Sequence, residues 1–125
     1  MHSWNFSLAF ICGNATVWKP APSTSLCGIA STKIIASVLE ENNLPAGIAA
    51  LVCGETEVGE ALSESTQVDL LAFTGSEKIG KIVGSTVQNR FGKVLLELGG
   101  NNCAVVAASV LQISCSCSEL TDKSM

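Results

Sequence analysis

A single glutamate, Glu97, interrupts the apolar run "VLLELGG" at residues 94–100. A carboxylate in a low-polarity setting costs several kcal/mol unless it is paired, hydrogen-bonded or protonated. Such a group can serve as a proton acceptor, or it can simply face solvent from an ordinary strand. Lys19 follows "TVW" and precedes Pro20, so its ammonium starts from a stiff, extended stretch. A cation held that way can hydrogen-bond a ribose hydroxyl or neutralise a phosphate; an ordinary surface lysine is the alternative. In "FTGSEKIGKI" (73–82) a strand runs through T-G-S into a helix, whose first N–H groups form a natural seat for a phosphate. The same residues also suit plain capping, with Thr74 or Ser76 as the cap and Gly75 in the turn.

Three other chemistries fit less well. Gly75 to Lys81 matches G-x-x-x-x-G-K, but Ile82 stands where a nucleoside-triphosphate P-loop needs Ser or Thr for magnesium. That disfavours a P-loop-like nucleotide binder. No G-x-G-x-x-G occurs, which counts against the standard dinucleotide turn and leaves room for a nonstandard one. With His2 the only histidine and no C-x-x-C among six cysteines, no metal site is expected. Cys12, Cys27, Cys53 and Cys103 lie in or beside apolar segments and read as reduced thiols.

The chain of 125 residues has the length of one domain. It is 47% apolar and 14% charged, with seven Lys+Arg against eleven Asp+Glu, which argues against disorder and against nucleic-acid binding. No segment approaches the roughly 18 consecutive apolar residues of a membrane span. The amino terminus shows neither a basic signal region nor an arginine-rich transit pattern, so an intracellular location, cytoplasmic or mitochondrial, is expected.

The elements that must position these groups alternate. Residues 15–18 read as a strand, and after "KPAPSTS" a helix capped by Ser23 or Ser25 runs to about Glu41, with Leu26, Ala30, Ile34, Val38, Ile35 and Leu39 on its apolar side. "NNLP" closes that helix. "GIAALVCG" (47–54) is a buried strand, and "ETEVGEALSES" a short helix with Val58, Ala61 and Leu62 inward. "VDLLAF" is a third strand, followed by a helix with Ile79, Val83 and Val87 on one face; "KVLLEL" is a fourth strand and "CAVVAA" a fifth. This order predicts an α/β fold, a mostly parallel sheet with helices on both faces. Ligands in such sheets sit at the carboxyl ends of the strands, where Lys19, Gly54, Thr74-Gly75-Ser76 and Glu97-Leu98-Gly99-Gly100 all fall.

Taken in order, "GNATVWKPAPSTS", "LPAGI", "FTGSEKIGKIVG" and "LLELGGNN" resemble the aldehyde dehydrogenase superfamily over roughly residues 4–107. Its members carry G-N-x-x-x-x-K-P, F-T-G-S-x-x-x-G and L-E-L-G-G at about these separations. Asn101-Asn102, "ICGN" and "TKIIA" look most like the antiquitin branch, which oxidises aminoadipate semialdehyde and related aldehydes. The resemblance implies that residues 1–107 are part of a Rossmann-like NAD(P)-binding domain and that 108–125 are a divergent tail. It further implies that Lys19 binds the adenosine ribose and that Gly59 and Glu60 line the adenosine side of NAD, or of NADP. Gly75 and Ser76 would contact the pyrophosphate, Glu97 would be the general base and Leu98 would touch the nicotinamide side. The substrate would be a small-molecule aldehyde, and the intact family member a homo-oligomer.

In the family's mechanism a cysteine thiolate attacks the aldehyde, a hydride passes to the nicotinamide, and the glutamate activates water against the acyl-enzyme. The nucleophile's position, in a G-Q-x-C setting, lies a few dozen residues beyond the glutamate. Cys115 and Cys117 come too early and in the wrong context, and "WNF" at 4–6 imitates an oxyanion motif while Asn5 aligns instead with a helix. The expectation is therefore a fragment truncated at both ends, inactive alone; a non-catalytic dinucleotide-binding or interaction module is the alternative.

Overall fold

The computed structural model describes residues 2–100. The expected fifth strand at 103–108, Cys115, Cys117 and the divergent tail lie outside the described residues. Within them the order is α1 (His2–Ile11), β1 (Thr16–Trp18), α2 (Ser25–Glu41), β2 (Ala49–Leu51), α3 (Thr56–Glu64), β3 (Leu70–Gly75), α4 (Glu77–Asn89) and β4 (Lys93–Leu98). Single turns of 3₁₀ helix precede α2 and β2. The strand–helix alternation is that expected from the sequence, and Asn5 lies inside a helix as its alignment implies.

All the pairing is parallel, but it comes as two separate ladders. β1 pairs with β2, Trp18 opposite Leu51, and β3 pairs with β4 from Leu70–Lys93 to Gly75–Leu98. β1 and β2 are three residues each and make a short ladder; β3 and β4 are six residues each and make a long one.

Three helices end in the same way. The N–H of Asn14 bonds the carbonyl of Ala9, that of Leu44 bonds Leu39, and that of Gly92 bonds Val87, each across a residue in the left-handed region. These are the paired carbonyl closures of a Schellman end. Gly13 supplies the turn at no cost after α1, and Asn43 does so tolerably after α2, where Pro45 then forbids continuation. After α4 the turn falls to Phe91, whose ring is almost wholly exposed.

Two expected helix faces are rotated. On α2 the inward positions are Ser25, Gly28, Thr32, Ile35 and Leu39, whereas Leu26 is 82% exposed and Ile34 66%. Gly28 turns inward where space is tight: a Cβ there would stand 3.0 Å from Pro20 Cγ, so a larger residue would have to push the proline ring aside. On α4 the buried positions are Gly80, Gly84 and Val87, with Val83 beside them, and Ile79 is outward. A Cβ on Gly80 would run into Leu98 Cδ2, and one on Gly84 would stand 3.2 Å from Leu96 Cδ1, so the glycines let α4 lie close on β4. On α3, Val58 and Leu62 are half-buried as expected, while Ala61 is exposed and Ser63 is buried.

The cap of α2 also departs from expectation. Thr24 occupies the N-cap position without a side-chain bond to the helix, and Ser25 Oγ donates instead to the carbonyl of Pro22 at 3.0 Å. The preceding 3₁₀ turn takes up these hydroxyls. Leu39 and Val87 are the buried apolar residues among the described ones, Val87 completely so, and many large apolar side chains are open to solvent.

Candidate cofactor-binding and general-base site

Parallel pairing sets the candidate residues at the carboxyl ends of their strands. Lys19 directly follows β1, Gly75 ends β3, Ser76 follows it, and Glu97 and Leu98 end β4. Thr74 is paired with Glu97 and Gly75 with Leu98, and the N–H of Gly99 reaches the carbonyl of Gly75 at 3.3 Å. The T-G-S and E-L-G-G motifs are thus adjacent across one ladder.

Lys19 and Gly59, separated by forty residues of chain, come together in space. The aliphatic stem of Lys19 lies over the first turn of α3, and a Cβ built on Gly59 would stand 3.8 Å from Lys19 Cε. Glu60, the next residue, is exposed on the same helix.

At the start of α4 Ser76 is the cap that the sequence allowed: its Oγ accepts from the N–H of Ile79 at 3.4 Å. Its carbonyl accepts from the N–H of Gly80. Of the first turn's donors, those of Glu77 and Lys78 are left to point beyond the helix. Gly75 lies beneath the ring of Phe73, where a Cβ would meet Cζ at 2.6 Å. A larger residue there would have to displace that ring.

The P-loop reading fails on this geometry. Gly75 is still strand, while Gly80 and Lys81 lie within α4 rather than in a loop cradling phosphates. Gly80 packs on Leu98 instead.

Glu97 does not sit in the apolar surroundings that "VLLELGG" suggested. Alternation along β4 turns Val94 and Leu96 inward, and Leu96 and Leu98 meet α4, so Glu97 is exposed with Lys93 and Leu95 on the opposite face. The described residues place no apolar cover over it. Leu98 turns its side chain onto Gly80, so what it offers toward the strand end is backbone.

The sequence did not single out two residues that tie the site together. Arg90, the chain's one arginine, donates from Nε to the carbonyl of Ser63 at 2.8 Å, joining the end of α4 to the end of α3. Ser63 Oγ in turn donates to the carbonyl of Gly59 at 2.8 Å. Being the only arginine was a signal, but nothing local points it at Ser63. Among the described residues no cluster of three or more metal-ligating side chains occurs, and no helix is long and apolar enough to cross a membrane.

A parallel α/β unit with a lysine at one strand end, a T-G-S helix start at another and a glutamate beside it defines a class. The chain belongs to the aldehyde dehydrogenase family, whose pattern matches residues 1–113. Several of its curated relatives are aldehyde dehydrogenases of family 7. It is 56% identical over 106 residues to an aldehyde dehydrogenase family 7 member A1 homolog of Caenorhabditis elegans, covering 85% of this chain and 20% of that protein. To the alpha-aminoadipic semialdehyde dehydrogenase of Bos taurus it is 54% identical over 105 residues, 84% of this chain and 20% of that protein. The chain therefore spans about a fifth of the curated relatives it matches.

Solved structures agree. The glyceraldehyde-3-phosphate dehydrogenase GapN of Methanocaldococcus jannaschii, complexed with NADP, superposes with a TM-score of 0.67 at 36% identity, over 72% of this chain and 20% of that one. The NAD-dependent benzaldehyde dehydrogenase of Corynebacterium glutamicum gives 0.59 at 40% identity, over 71% and 19%.

Proposed function

We propose that this chain carries the greater part of the cofactor-binding domain, residues 1–107, of an NAD(P)-dependent aldehyde dehydrogenase that oxidises a semialdehyde of the aminoadipate semialdehyde type to the carboxylic acid. The observation that carries the proposal is Lys19 lying over Gly59, because it joins two motifs distant in sequence into one cationic, side-chain-poor seat beside an open helix turn. The residues fit the group: Lys19 Nζ is a donor for ribose hydroxyls, Gly59 leaves room for close approach, and Glu60 borders the adenosine side. Gly75 and Ser76, with the open N–H groups of Glu77 and Lys78, suit a pyrophosphate.

NAD(P), when bound, supplies the hydride acceptor. Leu98 offers backbone toward the nicotinamide side. Glu97 accepts a proton from water so that the water can attack the thioester formed on the enzyme's cysteine, releasing the acid. That cysteine is not among Cys12, Cys27 and Cys53, which are free and exposed and lack a positioned base. The same reading places the intact enzyme in an intracellular compartment, cytoplasmic or mitochondrial, as a homo-oligomer.

The test is a titration of the 125-residue chain with NAD⁺, following Trp18 next to Lys19. Saturable quenching that is lost in Lys19→Ala supports the proposal. No response from the wild type, or an undiminished response in the variant, overturns it. An ATP–Mg²⁺ titration serves as the P-loop control and is expected to give none.

A further inference from the structure

α3 is nine residues long, too short to hold its shape without tertiary support. Its N-terminal half carries Gly59, against which Lys19 lies, so whatever fixes α3 fixes the spacing of that pair. Val58 and Leu62 supply half-buried apolar contacts, and the one buried residue of α3 is Ser63, a polar side chain.

Further support comes from the other end. Arg90 is the C-cap of α4, and its guanidinium folds back so that Nη1 would stand 2.6 Å from a Cβ on Gly92. Gly92 is what leaves that space. From there Nε donates to the Ser63 carbonyl in the last turn of α3, where carbonyls lack partners within the helix and a cation is favoured by the helix dipole. Ser63 Oγ passes the restraint one turn back, to the carbonyl of Gly59. The path Arg90–Ser63–Gly59–Lys19 connects the β3–α4–β4 unit to the loop after β1. Nη2 of Arg90 is buried without a hydrogen-bond partner among the described residues, so the guanidinium is desolvated around this bond. A charged hydrogen bond is worth more there than at a surface.

We propose that Arg90 is a positioning residue for the adenosine side of the cofactor site, acting through the Ser63 carbonyl to hold Gly59 against Lys19. The role rests on the cofactor-binding reading above and adds a residue with no expected contact to the cofactor. It separates the two halves of the dinucleotide: Arg90 governs the adenosine half at α3, while the pyrophosphate turn at Ser76 and the strand end at Leu98 are held by the β3–β4 ladder without it.

The experiment compares the full chain with Arg90→Met and Arg90→Lys, measuring affinities for NAD⁺, AMP and nicotinamide mononucleotide together with amide hydrogen exchange over 56–64. Arg90→Met is expected to weaken AMP and NAD⁺ by the same factor, about five- to tenfold, the upper end of what one ordinary hydrogen bond contributes, because the bond acts on the cofactor only through α3. Nicotinamide mononucleotide should be unaffected, and exchange should rise in α3 but not in β3 or β4. Arg90→Lys, which keeps one donor, should recover part of both. Unchanged AMP affinity despite faster exchange would reduce Arg90 to a structural tie and overturn the proposal; equal losses for AMP and nicotinamide mononucleotide would do the same. A wild type that binds neither NAD⁺ nor AMP would instead sink the cofactor reading, and the exchange data would still decide whether Arg90 holds α3.

Discussion

The two halves of this molecule are built to the same plan with unequal means. In the β3–α4–β4 unit, six-residue strands pair along their full length, and Gly80 and Gly84 bring α4 down onto Leu98 and Leu96 with Val87 sealed beneath. In the β1–α2–β2 unit the ladder is three residues long, Gly28 is the one close approach, and α2 turns Leu26, Ile34 and Val38 outward. Leu39 is the one buried side chain of α2, and the His2 ring stacks on Trp18 with centroids 3.7 Å apart. The difference shows that a sheet–helix unit closes on itself when small residues face the strands. Where bulky residues face away from them, the unit awaits further cover.

The comparison breaks most readily at Gly80. Replacing it with valine forces Leu98 off α4, and overpacking of this kind costs about 1–3 kcal/mol or more, to be read as a lower urea midpoint with the whole β3–α4–β4 unit affected. Val87→Ala in the same seam is expected to cost about 2 kcal/mol from lost burial and the cavity left behind, by the same measurement. Lys19→Ala tests the other half through ligand rather than stability: a loss of about tenfold in NAD⁺ affinity, with the urea midpoint unchanged, since one charged hydrogen bond is removed at a half-buried site. An equal fall in midpoint would show that Lys19 serves packing.

Ser76→Ala sharpens the comparison at the site itself. The Oγ to Ile79 bond is long at 3.4 Å, so the cap loss belongs at the low end, about 0.5 kcal/mol. The smallest effect is expected at His2. Burial beside Trp18, and secondarily the nearby amino terminus, lower its pKa below the ordinary histidine value. The unfolded chain then takes up the proton first, so this contribution is present above about pH 6.5 and is lost as pH falls through the folded-state value. Trp18 fluorescence, followed in Trp4→Phe, should change over that window and cease to do so in His2→Phe. A response of the same size in His2→Phe would place the titration elsewhere.

Much of this was legible in residue order. The extent of β4 over "KVLLEL", the stop at "NNLP" and the start of α4 after T-G-S follow from local rules of strand propensity, proline exclusion and capping. Helix faces were not legible where apolar residues surround the helix. In α2, Leu26-Ala30-Ile34-Val38 and Gly28-Ile35-Leu39 are both plausible inner stripes, and the contact of Gly28 with Pro20 and Leu51 chose between them. The same holds for Ile79 against Gly80, where the smaller residue faces inward because the helix approaches closely.

For the candidate site, the sequence by itself determined which residue types stand at the strand ends, because a parallel strand followed by a short loop leaves its next residues at one edge whatever the rest does. Lys19, Gly75, Ser76 and Glu97 follow from that rule as residues at or next to strand ends. Tertiary structure alone decided which of them meet. Lys19 over Gly59, the Arg90 to Ser63 bond and the exposure of Glu97 all depend on contacts between segments far apart in the chain. Local propensity carries no information about such distances, since they are set by how closely helices can approach strands once every side chain has been packed.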